Sequence, residues 1–143
     1  MQEWDESSDQ VSKLTPDKEK AKALLQLVEL REKDLKTKSE EFTTLIIEGY
    51  YELVKELITA IMSTDGYKTT SHELLVGYIA SFHKEFPPSE IHLIDQLRKT
   101  KNDIAYRGVM IQPEYLKRNK EKILTIISKL KQLTLRKLKD QQP

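Results

Sequence analysis

EEFTTLIIEGYYELVKELITAIM, residues 40–62, carries Phe42, Leu45, Ile46, Ile47, Tyr50, Tyr51, Leu53, Val54, Leu57, Ile58 and Ile61. Wound as a helix, these side chains cover far more than one face. A helix that is apolar nearly all round is stable in water only when other elements enclose it. The segment is therefore expected to be the central element of a helical fold. Ser39, Glu40 and Glu41 stand where a helix start is capped, and Thr64-Asp65-Gly66 ends it, because glycine can take the left-handed conformation that terminates a helix.

Its neighbours follow outward in both directions. On the N-terminal side, Thr15-Pro16-Asp17 places a hydroxyl cap before a proline at the first helical position, with acids in the first turn. That helix is expected to run to Lys38, with Leu24, Leu25, Val28 and Leu35 inward and Leu27 and Leu30 widening the stripe. On the C-terminal side, Thr70 or Ser71 caps a third helix with Leu75, Tyr78, Ile79 and Phe82 inward, stopped by Pro87-Pro88. A fourth starts at Ser89-Glu90. Pro113 opens a fifth, in which Leu116, Ile123, Ile126, Ile127, Leu130 and Leu133 form a nearly heptad seam. Five amphipathic helices with short connections give an all-α fold, an up-and-down helical bundle. Residues 1–14 read as a flexible acidic tail in which Trp4 alone is suited to dock, and residues 15–143 as a single domain.

Composition agrees with that class and narrows the chemistry. The chain has 143 residues, 38% hydrophobic and 33% charged, with only 4 Gly and 5 Pro. The absence of cysteine excludes disulfides, thiolate zinc sites and a cysteine nucleophile, and fits a reducing cytoplasm. No apolar run approaches the ~20 residues of a membrane span, and MQEWDESSDQ is acidic where a secretion signal is basic and then apolar. A cytoplasmic protein without a membrane partner is expected. The net charge of +1 conceals an asymmetry: residues 1–97 carry 11 Lys and Arg against 19 Asp and Glu, residues 98–143 carry 13 against 4. Either the C-terminal part presents a basic surface to phosphates or an acidic partner, or the two parts neutralise each other across the bundle.

The stretch KNDIAYRG, residues 101–108, is a polar octet inside the fourth helix. At about 100° per residue, with Lys101 at zero, Ile94 lies near +20°, Ala105 near +40°, Leu97 near −40° and Ile104 near −60°. Lys101 is thus centred on the apolar arc, where it must snorkel, pair with an acid or face a subunit interface. Arg98 falls at about +60°, and Asn102, Asp95 and Tyr106 between about +100° and +140°. Asp95, Arg98, Asn102 and Tyr106 form a polar strip beside that lysine, a pattern of an interface or a pocket.

LRKTKNDIAYRG, residues 97–108, resembles the signature segment of HEPN domains, small helical bundles whose ribonuclease members carry Arg-Asn-x-x-x-His. GYKTTSHELLVGYI, residues 66–79, resembles the start of the third helix in prokaryotic members, and the helix order matches over roughly residues 16–138. The resemblance implies a histidine for proton transfer and an arginine for the phosphate. Here Lys101 stands at the arginine, Asn102 is retained, and Tyr106 stands at the histidine. A phenol with an ordinary pKa of ~10 is a weak base at neutral pH, and lysine lacks the planar fork that grips two phosphate oxygens. In some toxins of the family a tyrosine two positions beyond the histidine is modified by a nucleotidyltransferase antitoxin. Gly108 occupies that position.

Three readings result. The first is a HEPN-like homodimer, its Lys101 faces together, acting as a non-catalytic or weakly active nucleotide- or RNA-associated module, with a nucleotidyltransferase partner implied by the resemblance. The second is a metal-independent, toxin-type ribonuclease in which Lys101, Arg98 and Arg107 hold phosphate and Tyr106 replaces the histidine. The third is a structural bundle whose basic last helix binds an acidic protein. Lys122, Lys129 and Arg136, spaced by seven, are either a solvated face or a phosphate-tracking stripe. His72, His83 and His92 show no metal-ligand spacing and read as surface or structural residues, with His72 alone placed to touch a ligand. Tyr50, Tyr51, Tyr78 and Phe82 read as core. No cofactor or metal is called for.

Overall fold

Asp17 begins the first helix: its carboxylate accepts from the Lys20 amide at 2.9 Å, satisfying one of the free donors at the N-terminus of α1 (Lys18–Lys36). The cap is therefore Asp17 rather than Thr15, and Pro16 lies outside the helix. A computed structural model describes residues 2–140; Met1 and residues 141–143, the outer ends of the expected tail and domain, lie outside the described residues. After a 3₁₀ turn at Glu40–Phe42 comes α2 (Thr43–Asp65), terminated by Gly66 in the left-handed region at φ 81°. Ser71 caps α3 (His72–Phe82) by accepting from the Leu74 amide at 3.2 Å. Helix α4 (Pro88–Arg107) starts on Pro88 and is closed by Gly108 at φ 64°, and α5 (Pro113–Lys139) starts on Pro113. In both, proline occupies a first-turn position that has no intrahelical acceptor for its missing N–H.

These elements form the expected all-α helical bundle of five helices, with α2 at its centre. Ile47, Val54, Leu57 and Ile61 of α2 are fully enclosed, meeting Val28 of α1, Ile94 and Leu97 of α4, and Ile126 and Leu130 of α5 in one continuous core. Some apolar side chains assigned inward lie outside. Leu30 is turned about 160° from Val28 around α1, and Leu27 about 100°, too far to reach the core. Phe42 and Leu45 sit at the very start of α2, ahead of the enclosing helices, and both are exposed. Phe82 ends α3 and is half-exposed beside Trp4. Helix α3 stops well before Pro87, because Phe86 turns inward to fill the core.

The N-terminal segment differs from the loose tail expected over residues 1–14. Strand β1 (Val11–Lys13) pairs antiparallel with β2 (Tyr67–Thr69), Ser12 opposite Lys68. Trp4, the residue singled out to dock, packs edge-on against Tyr67 and Tyr78, with ring centroids 5.4 and 5.1 Å away. Three residues of strand are too few to leave an alternating pattern in the sequence.

Gly77 shows how tightly this segment lies on α3. A Cβ there would stand 3.0 Å from the Trp4 amide nitrogen and closer still to the Gln2 carbonyl oxygen. In an open helix, Gly→Ala stabilises by about 0.5–1 kcal/mol. Here overpacking, typically about 1–3 kcal/mol, should win. Gly77→Ala is expected to lower stability and to shift the emission of the single tryptophan to the red as Trp4 leaves its aromatic cage. Unchanged emission would show that the segment accommodates the methyl group in place.

Candidate functional site

The octet meets α2 along a polar stripe that interrupts that helix's apolar surface. Thr44, Glu48, Glu52 and Lys55 fall within about 80° of one another around α2. The stripe receives the fourth helix and the loop behind it: Lys101 Nζ lies 3.6 Å from Glu48 Oε2, and the Ile111 amide donates to Thr44 Oγ1 at 2.9 Å. Lys101 thus resolves its position on the apolar arc by pairing with an acid of its own chain, and its charge does not require a subunit interface. Lys55 pairs with Glu52 at 2.6 Å.

One turn earlier, Asp95 and Arg98 are the most buried charges of α4, 7% and 9% exposed. Arg98 Nε donates to Asp95 Oδ1 at 2.9 Å, and Lys99 approaches the other carboxylate oxygen at 3.4 Å. Burial pushes the Asp95 carboxyl up, but the hydrogen bond and charge of Arg98, with those of Lys99, outweigh it and hold the group below the usual carboxylate range. The remainder of the strip lies elsewhere. Asn102 is half-buried, whereas Tyr106 is 84% exposed, on the last turn of α4 beyond the covered part of α2. Arg107 reaches back to Asp103 at 3.3 Å, and the chain then turns through Gly108. The structure therefore separates Tyr106 from the Asp95–Arg98 pair, and Lys101, Arg98 and Arg107 each already face a carboxylate.

His72, at the first position of α3, joins this polar face. Its ring stands 5.8 Å from that of Tyr51, which is buried in the core. Desolvation first, then the positive charges of Lys55, Arg98 and Lys101, push the imidazole below the usual histidine range against the opposing pull of Glu52. Burial raises the Tyr51 phenol. Sequence reasoning missed Glu48, Glu52 and Lys55, although their spacing on an otherwise apolar helix was a readable signal. Among the described residues, no three His, Asp or Glu side chains are grouped to hold a metal ion.

The charge asymmetry is largely neutralised inside the fold. Lys101, Lys117, Lys129, Lys131, Arg136 and Lys137 each pair with an acid that precedes residue 98. Of the α5 stripe, Lys129 binds Glu90 at 2.7 Å and lies over the Phe86 ring, and Arg136 reaches Glu85 at 3.3 Å. Only Lys122 of the three is left without an acid. It shares the first half of α5 with Arg118 and Lys120, which also make no ion pair among the described residues. Nor is any helix among the described residues long and apolar enough to cross a membrane. No protein-family model, curated protein or solved structure matches the chain.

The histidine shift fixes a direction for pH. An imidazole held low in the folded state binds fewer protons there than in the unfolded chain, whose histidines titrate at about 6.5. Stability is then full above that pH and falls as pH drops through it toward the lower folded value. His83 acts the same way, pushed low chiefly by burial. Urea midpoints are expected to fall between neutral pH and mildly acidic pH, while Asp95 remains ionised, and His72→Gln should remove part of the fall. An unaltered pH profile in His72→Gln would place that imidazole outside the polar face.

Proposed function

We propose that this chain is a HEPN-like helical module that associates with nucleotides or RNA without cleaving them, and that it self-associates. The observation carrying this reading is the state of the octet. Its lysine is neutralised by Glu48, its arginine neighbour by Asp95, and its tyrosine stands alone in solvent. General acid–base catalysis on a ribose hydroxyl needs a titrating group within hydrogen-bond reach of the proton, beside donors for the phosphate. A solvated phenol whose neighbouring cation, Arg107, is turned back to Asp103 supplies neither. Association with phosphate has a separate support in Arg118 and Lys122, cations one turn apart on α5 that make no ion pair among the described residues.

Self-association has support in the apolar side chains at the same end of the molecule. Tyr106 and Met110 are 84% and 71% exposed, and the loop that carries Met110 lies against the start of α2, where Phe42 and Leu45 are also uncovered. Exposed apolar groups gathered at one end favour contact with another protein surface. This end, rather than the Lys101 face, is where two copies are proposed to meet. A nucleotidyltransferase remains a partner that the family resemblance suggests.

Incubation with structured RNA should give binding and no products. Binding of a single strand should weaken with salt at a log–log slope of about −1.4, since Arg118 and Lys122, which share one face, each contribute about 0.7. Cleavage that Tyr106→Phe abolishes would replace this reading by the ribonuclease one. Light scattering after size exclusion should give a dimer, converted to a monomer by Tyr106→Glu with Met110→Glu. A wild-type monomer at all concentrations tested would remove self-association from the proposal.

A further inference from the structure

A groove of about 440 Å³ lies between residues 89–96 of α4 and 119–125 of α5. Ion pairing closes one end, where Lys129 binds Glu90 and the Glu85 carbonyl oxygen, both at 2.7 Å. The volume is within the range of about 300–1,000 Å³ usual for small-molecule sites.

Most of the residues along the groove are polar and reach solvent. Ser89, His92 and Gln96 line the groove from α4, and Asn119, Lys122 and Thr125 from α5. The side chains of Ser89, His92, Gln96 and Lys122 make no hydrogen bond to protein among the described residues. Asn119 uses one amide N–H on the Tyr115 carbonyl and keeps its oxygen free, and the Thr125 hydroxyl donates to Glu121 and still can accept. Glu90 is the one carboxylate in the lining, and Lys129 neutralises it. Lys122 makes no ion pair among the described residues, and Arg118 follows it one turn back along the same face of α5. The groove thus presents cationic charge to an anion next to uncommitted donors and acceptors spaced over two helices, while Leu93 supplies an apolar patch.

We infer that the α4–α5 groove binds a ribose phosphate unit, with Lys122 on the phosphate and Gln96, Asn119 and Ser89 on the sugar and base edges. The inference rests on the proposed nucleotide or RNA association and gives it a place distinct from the octet. A phosphate alone would need only the cation. The several neutral donors and acceptors match a ligand that also carries hydroxyls and amide-like edges. The same unit occurs in a free mononucleotide and in a single RNA strand.

The test titrates the full chain with adenosine monophosphate by calorimetry and with a labelled single-stranded oligouridylate by fluorescence anisotropy, at low and physiological salt. Lys122→Glu is expected to weaken binding by about tenfold or more, the loss of one charge-assisted contact. Gln96→Ala should weaken it by a smaller factor, and Arg136→Gln, outside the groove, should leave it unchanged. Lys122 and Gln96 are exposed, so circular dichroism should show both variants folded. Mononucleotide binding with these losses assigns the free nucleotide; losses confined to the oligomer assign the strand. RNA or nucleotide bound equally well by Lys122→Glu and Gln96→Ala would overturn the groove and leave the functional reading standing. If the wild-type chain binds neither probe, both fall.

Discussion

Enclosure of α2 is the constraint from which the other features descend. A helix with apolar side chains on most of its circumference exposes too much surface to persist alone, and four others pack on it. Burial on that scale leaves its polar residues in a difficult position. Glu56 is almost fully enclosed and its carboxyl is pushed up by desolvation, even with the Arg31 guanidinium 3.0 Å away. Glu48, Glu52 and Lys55 lie at the margin of the core, half-buried, and each has an ion-pair partner. Polar groups on a central helix therefore dictate what its neighbours carry. Lys101 on α4 and Arg31 on α1 are as much part of the enclosure as the leucines are, because removing one member of a buried pair leaves a charge that the interior cannot solvate.

The same requirement accounts for the distribution of charge along the chain. An acidic N-terminal part and a basic C-terminal part suggest a protein with a phosphate-binding face, yet Lys101, Lys117, Lys129, Lys131, Arg136 and Lys137 all meet acids from earlier elements. Such pairs are individually weak where solvent reaches them, of the order of 0–1 kcal/mol. Their effect is on arrangement. Last-helix cations opposite acids of α1, α2, the α3–α4 corner and α4 favour one placement of α5 over alternatives that would set like charges together.

The sequence was most informative where a single rule governed the outcome. The central position of α2, the glycine termination at Gly66, the Ser71 cap and the proline start of α5 each depend on local chemistry, and each is found. It was least informative where the outcome depended on a partner distant in the chain. Trp4 and β1 dock through Tyr67, Tyr78 and a close approach at Gly77, none of which leaves a periodic signal near the N-terminus. Helical angles put Lys101 in the apolar arc correctly, but could not reveal that Glu48 lies opposite it. They also set Tyr106 beside Asp95 and Arg98, because a wheel projects a helix onto one circle and loses its length. Tyr106 stands eleven residues beyond Asp95, a separation of about 16 Å along the axis.

That axial distance bears on the choice between catalysis and binding. A phosphodiester spans only a few ångströms between its attacking and leaving oxygens, so a base and a phosphate-gripping cation must converge on one point. On a single helix, convergence needs positions three or four apart, and at those intervals after Lys101 stand Ile104 and Ala105. Neither side chain has a proton to transfer. Asn102 and Tyr106 have the right interval, but an amide is not a cation and the phenol projects into water. Binding makes a weaker demand, because contacts spread over a longer surface still add. The α4–α5 groove offers side chains of that kind from two helices, few of them committed to each other.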